Sequence, residues 1–127
     1  MANILLVDDQ PELRELYSEI LQDLGHAVTT ASNGREALSR LEADWTLDIV
    51  LLDLEMPELG GLETTRAIRA SLDPRIQGMS VVLLTSHELP DDVGAGLTSG
   101  ADAYVIKPVD PTDLGEELQL LLASGDV

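Results

Sequence analysis

Four short apolar runs each end on a polar residue, and this arrangement limits the possible folds more than any other feature of the chain. Ile4 to Val7 runs into Asp8-Asp9, Ile49 to Leu52 into Asp53, Val81 to Leu84 into Thr85, and Tyr104 to Ile106 into Lys107. Runs of this length, without alternation, read as strands buried on both faces of a parallel sheet. A fifth candidate, Ala27 to Ala31, is half polar.

Helical patterns separate the runs. Leu13, Leu16, Tyr17, Ile20, Leu21 and Leu24 recur at three- and four-residue spacings, so one stripe faces the sheet. Asp9 is the expected cap of this helix, with Pro11 in its first turn and Gly25 beyond its end. A second helix follows Asn33-Gly34 and turns Ala37, Leu38 and Leu41 inward. A third uses Leu62, Thr65, Ile68 and Leu72, and Pro74 closes it. A fourth, within 91–99, carries Gly94 and Gly96, each of which costs about 1 kcal/mol relative to alanine. The fifth opens on Asp110-Pro111 and buries Leu114, Leu118 and Leu121.

Five βα units in succession predict an α/β domain, a five-stranded parallel sheet with helices on both faces. Right-handed crossovers give the strand order 2-1-3-4-5. Ligands of such sheets bind beyond the carboxyl ends of the strands, at the switch point between strands 1 and 3. Asp8, Asp9 and Asp53 are expected to meet there, with Thr85 and Lys107 on the same edge.

Composition narrows the function. At 127 residues the chain fits one domain, 1–127, and no second unit or linker is visible. No apolar run approaches the roughly 20 residues of a membrane span. The start carries no basic, cleavable leader, so a cytoplasmic location is expected. The formal net charge of −17 argues against direct contact with nucleic acid or an anionic membrane. Lys107 is the one lysine in the chain.

Three converging carboxylates repel one another, and a hard divalent cation is their natural counterion. Mg²⁺ suits one or two carboxylates while keeping positions for water and phosphoryl oxygens. Asp53 then has the character of a nucleophile that forms an acyl phosphate. A transferring phosphoryl group spreads charge over three oxygens, which Mg²⁺, the Lys107 ammonium and the Thr85 hydroxyl or nearby amides would share. Taken singly, each residue has a plainer role: Asp9 as a cap, Thr85 as a strand end, Tyr104 as a core aromatic. Their common edge favours the site.

The sequence resembles the response-regulator receiver domain, the flavodoxin-like (βα)5 module of two-component signalling, in its stand-alone chemotaxis-Y-like form. The residues that carry the resemblance are Asp8-Asp9, Asp53 followed by Met56-Pro57 and Gly60-Gly61, Thr85-Ser86, and Lys107-Pro108. It implies phosphorelay signalling, with Asp53 as phosphoacceptor and a sensor histidine kinase or phosphotransfer protein as donor. Such a domain catalyses only its own phosphorylation and dephosphorylation. The resemblance also implies Asp9, Asp53 and the Glu55 carbonyl as Mg²⁺ ligands, with Asp8 acting through water. Thr85 and Tyr104 match the family's switch pair, and Lys107-Pro108 its cis peptide. Glu55 and His87 would flank the path of the hydrolytic water and tune the phosphoryl lifetime. A downstream protein would dock on the face formed by helix 4, strand 5 and helix 5, with no output domain attached. Gly60 replaces the family's usual Asp, Val109 its frequent Phe, and the glycines of the fourth helix depart from the pattern at the output face.

Other readings fit less well. A Mg²⁺-dependent aspartyl phosphatase of the haloacid-dehalogenase type has its nucleophile on the first strand, whereas Asp53 ends the third. A flavin binder needs a phosphate loop after strand 1, where Asp8-Asp9-Gln10-Pro11 would repel one. A phosphorylation-independent scaffold would not need the complete residue set.

Overall fold

The computed structural model describes residues 2–54, 56, 59–85, 100–107 and 110–125. Five strands form one parallel sheet of order β2-β1-β3-β4-β5. They are β1 (Asn3–Val7), β2 (Ala27–Ala31), β3 (Ile49–Asp53), β4 (Ser80–Thr85) and β5 (Ala103–Ile106). The helices are α1 (Pro11–Asp23), α2 (Gly34–Ala43), α3 (Gly61–Arg69), a single-turn α4 (Pro74–Gln77) and α5 (Pro111–Gly125). The expected flavodoxin-like order holds. The fourth helix expected within 91–99 lies outside the described residues.

Strand residues alternate between two cores. Ile4, Leu6, Ile49, Leu51, Val82, Leu84 and Val105 pack with Tyr17 and Leu21 of α1 and Leu114 and Leu118 of α5. Leu5, Val7, Val50, Leu52, Val81 and Leu83 face the other way, against Ala37 and Leu41 of α2, Ile68 of α3 and Ile76 of α4. Period-two alternation with both faces covered explains why the runs are apolar throughout. Each fully buried Leu, Ile or Val contributes about 1.5–3 kcal/mol relative to exposure.

The helix boundaries correct several expectations. Gln10, not Asp9, is the N-cap of α1, and its side chain makes no capping bond. The Asp8 carboxylate instead accepts from the Gln10 amide at 2.9 Å. The α1 stripe is narrower than its spacing suggests, since Leu16 and Leu24 are exposed. Gly25 does stand past the helix end, at φ +96°, where only glycine is unstrained. Asn33 caps α2 by accepting from the Glu36 amide at 2.8 Å. The third helix stops at Arg69 and leaves Leu72 100% exposed. Pro74 opens α4 rather than closing α3, with the Asp73 carboxylate accepting from the Arg75 amide. Asp110 caps α5 as expected, accepting from the Thr112 and Asp113 amides at 2.8 and 3.3 Å. Leu114 and Leu118 are buried, and Leu121 packs at the core margin.

Candidate functional site

Parallel register brings the strand ends together. Val7 pairs with Leu52, Asp53 with Leu84, and Thr85 with Ile106, so the polar residues at these ends share one edge. The ladder continues beyond the strands: the Asp8 amide donates to the Ala31 carbonyl at 3.2 Å, and the Lys107 amide to the Thr85 carbonyl at 2.7 Å. The edge is therefore set by backbone bonds before any side chain contributes.

Carboxylate oxygens of Asp8, Asp9 and Asp53 lie within 4.8 Å of one another. Asp8 is 0% exposed, and Asp53 and Thr85 are buried. The Lys107 ammonium lies 3.1 Å from Asp53 Oδ1 and 3.5 Å from Asp8 Oδ2, with its side chain 14% exposed. Burial by itself pushes the Lys107 ammonium down, but the charge and hydrogen bond of Asp53, with Asp8 and Tyr17 adding, outweigh it and raise its pKa. Lys107 therefore stays charged across neutral pH.

Among the described residues, Lys107 is the one cation paired with these three carboxylates, so the cluster keeps an excess of negative charge. Asp9 Oδ1 is buried and, among the described residues, has no hydrogen-bond partner. A buried carboxylate oxygen without a donor is costly, and a cation would satisfy it. All three side chains offer hard oxygen donors, which suits a divalent cation such as Mg²⁺.

The edge thus unites five of the residues singled out from sequence: Asp8, Asp9, Asp53, Thr85 and Lys107. Tyr104 stands apart, on β5 three residues before Lys107 and 37% exposed, so it is not a core aromatic here. Glu55, His87 and Pro108 lie outside the described residues. Two further residues were not legible in the sequence as parts of the site. The Arg14 guanidinium donates to the Asp8 carbonyl at 2.9 Å and ties α1 to the end of β1. Gly61 packs directly against the backbone that carries Asp53. The Gly60-Gly61 pair carries part of the family resemblance, but no pattern showed what it would touch.

A doubly wound parallel sheet, with clustered carboxylates and a lysine at its switch point, defines an α/β domain whose acidic cluster could hold a cation. A sequence profile of the response regulator receiver domain matches residues 4–119. Chemotaxis protein CheY1 of Helicobacter pylori is 31% identical over 97% of this chain and 98% of its own length. The CpxR homolog of Haemophilus influenzae, a transcriptional regulatory protein, is 39% identical over 96% of this chain and 51% of its own. Among solved structures, Vibrio cholerae chemotaxis protein CheY4 superposes with a TM-score of 0.86 at 33% identity, covering 95% of this chain and 98% of that one. This chain belongs to the response-regulator receiver domains, the phosphorelay modules of two-component signalling. It spans about half the length of the transcriptional regulators it matches, 46% in one and 51% in another. Among the described residues, no helix is long and apolar enough to cross a membrane.

Proposed function

We propose that this domain accepts a phosphoryl group on Asp53, in a Mg²⁺-dependent reaction with a histidine kinase or phosphotransfer protein, and thereby changes what it binds. The observation that carries the reading is the clustering of Asp8, Asp9 and Asp53 within 4.8 Å, with Lys107 3.1 Å from Asp53.

An Asp53 carboxylate oxygen attacks the phosphorus of the donor phosphohistidine. The new P–O bond forms as the P–N bond breaks, and the departing imidazole keeps the electron pair and takes a proton from solvent. Asp9 and Asp53, with the Glu55 carbonyl and Asp8 through water, would hold Mg²⁺, which supplies positive charge to the phosphoryl oxygens when bound. Lys107 exchanges its carboxylate partner for a phosphoryl oxygen as Asp53 becomes an acyl phosphate, and the Thr85 hydroxyl donates to another. The phosphoryl group biases whichever state gives Thr85 and Lys107 those contacts, with Tyr104 following, which is a population shift. Glu55 and His87 are proposed to gate the hydrolytic water, and a His87→Ala variant that hydrolyses like the parent across neutral pH removes the gate.

The output face fits a protein partner. Between β5 and α5 runs a groove of about 330 Å³ lined by Tyr104, Asp110, Asp113, Glu116, Glu117 and Leu120. Its acidic rim suits a partner bearing basic residues. The net charge of −17 disfavours nucleic acid and membrane there. The reading includes a cytoplasmic location, testable by cell fractionation.

Intact-mass measurement after treatment with acetyl phosphate and Mg²⁺ tests the chemistry. One added phosphoryl group is expected, absent without Mg²⁺ and absent in Asp53→Asn. No addition to the parent from either acetyl phosphate or a phosphorylated kinase would leave a phosphorylation-independent scaffold. Lys107→Ala and Thr85→Ala are expected to accept beryllofluoride without the parent's spectral change at Tyr104. A parent-like response in both would refute the switch.

A further inference from the structure

Gly61 is the first residue of α3, and it meets the backbone of the proposed phosphoacceptor. A methyl group on its Cα would sit 2.6 Å from the Asp53 carbonyl oxygen, 2.7 Å from Leu54 Cα and 3.2 Å from the Asp53 carbonyl carbon. All three atoms are main chain, so no side chain can rotate aside to make room. The Gly61 amide also donates to the Leu54 carbonyl at 3.1 Å, and the Thr65 hydroxyl donates to the Gly61 carbonyl at 2.8 Å. Leu54 is held from the far side by its own amide, which donates to the Leu84 carbonyl at 2.8 Å. The peptide joining Asp53 to Leu54 is therefore braced between β4 and the first turn of α3.

We infer that Gly61 is a positioning residue for Asp53: its missing side chain lets α3 press on the Asp53–Leu54 peptide and so aims the carboxylate at the phosphoryl donor. The inference rests on the reading of Asp53 as acceptor and deepens it. Gly61 touches neither donor nor phosphoryl group and acts only through Asp53. A misplacement of about 1 Å at a reacting atom costs on the order of 10²-fold in rate. A shift of a few tenths of an ångström, enough to relieve the clash, is expected to slow phosphorylation about tenfold.

A matched control exists elsewhere in the fold. At Gly34 an added methyl would collide with the Thr64 hydroxyl and come within 2.8 Å of the Leu59 carbonyl oxygen, contacts of α2 with α3 and the segment just before it that do not involve Asp53. Gly34→Ala should therefore lose stability without losing phosphorylation rate. The experiment compares parent, Gly61→Ala and Gly34→Ala at saturating Mg²⁺ and acetyl phosphate, following intact mass, with thermal melts of each. Trimethylamine N-oxide is added to bring destabilised chains fully into the folded state. The expected result is a lowered midpoint in both variants, with Gly61→Ala about tenfold slow even in the osmolyte and Gly34→Ala within about twofold of the parent. A parent rate in folded Gly61→Ala overturns the inference, as does an equal slowing in Gly34→Ala. A Gly61→Ala chain that stays unfolded in the osmolyte also overturns it, because Gly61 is then a folding requirement alone. Failure of the parent itself to gain a phosphoryl group would instead refute the reading of Asp53.

Discussion

The Lys107 ammonium is 3.1 Å from Asp53 and 3.5 Å from Asp8, while the buried Asp9 Oδ1 has no hydrogen-bond partner among the described residues. The three carboxylates therefore do not share the Lys107 ammonium equally. Asp9→Asn removes a repelling charge and gives up no ion pair among the described residues, so it should raise metal-free stability by about 1 kcal/mol, several degrees in melting midpoint. Asp53→Asn removes a charge too, but forfeits the closer lysine contact, and its gain should be smaller. Both should shrink the rise in midpoint that Mg²⁺ produces, by weakening its binding. Melts with and without Mg²⁺ decide this, and an Asp9→Asn midpoint at or below the parent's would contradict the charge balance.

His26 gives the fold an acid-sensitive joint far from that pocket. Its Nδ1 accepts a hydrogen bond from the Ala2 amide at 3.0 Å, which only an imidazole unprotonated at Nδ1 can do. Burial lowers its pKa below the ordinary 6.5, and the positive amino terminus adds to the effect. The unfolded chain then binds a proton at higher pH than the folded one. The contribution to stability is complete above about pH 6.5 and is lost as pH falls through the lower folded value. Acidification also relieves carboxylate repulsion, so the test is a difference between two proteins. The stability of the parent relative to His26→Gln should fall between about pH 8 and about pH 5. A constant difference across that range would rule the joint out.

Trp45 is 71% exposed, yet its ring lies 4.7 Å from the Arg75 guanidinium carbon. Arg75 does more than stack: it donates to the Leu41 carbonyl at 2.6 Å and the Asp44 carbonyl at 3.3 Å, closing the carboxyl end of α2. Charged hydrogen bonds of this kind contribute about 1.5–3 kcal/mol, and an exposed cation–π contact about 0.5–1 kcal/mol. Urea denaturation should therefore show Arg75→Ala losing more stability than Trp45→Ala. The reverse order would mean the ring, not the helix end, is what Arg75 serves.

Legibility in the sequence followed the range of the interaction. Leu51 and Leu83 announced buried strands because burial on both faces leaves an unbroken apolar run, and the polar residue ending each run followed from strand direction. Asp73-Pro74 and Asp110-Pro111 show where local signals divide. Each pair caps a helix and opens it with proline, but Asp73-Pro74 follows the periodic Leu62, Thr65, Ile68 and Leu72 and so reads as a stop. Nothing local says that the chain has already left α3 at Arg69 and exposed Leu72. At the acidic pair, the residue type predicts a carboxylate near the start of α1 but not which one bonds the amide; packing gives that bond to Asp8 and leaves Asp9 toward the pocket. Arg75 meets Leu41 and Asp44 across more than thirty residues, and Gly61 meets Asp53 through backbone alone. No periodicity encodes either contact.

Gly60 is the N-cap of α3 and supplies no capping side chain. Glu63 stands at the third position of the helix, and its Oε2 would lie 2.7 Å from a Cβ added at residue 60. The carboxylate thus already reaches back toward the cap, which is one half of a capping box. Gly60→Ser supplies the other half, since its hydroxyl can accept from the Glu63 amide while the flexible Glu63 side chain shifts to make room. The backbone at residue 60 is extended, at φ −75° and ψ 177°, so serine enters without strain. Replacing glycine also trims the freedom of the unfolded chain. The two effects together should stabilise the domain by about 0.5–1 kcal/mol. Phosphorylation should be unaffected, because the added Cβ clears the Leu54 carbonyl by 3.6 Å and the Met56 carbonyl by 3.7 Å. Urea denaturation and phosphorylation rates are measured on the same preparations. An unchanged or lowered midpoint in Gly60→Ser would show that Glu63 does not complete a cap at this helix end.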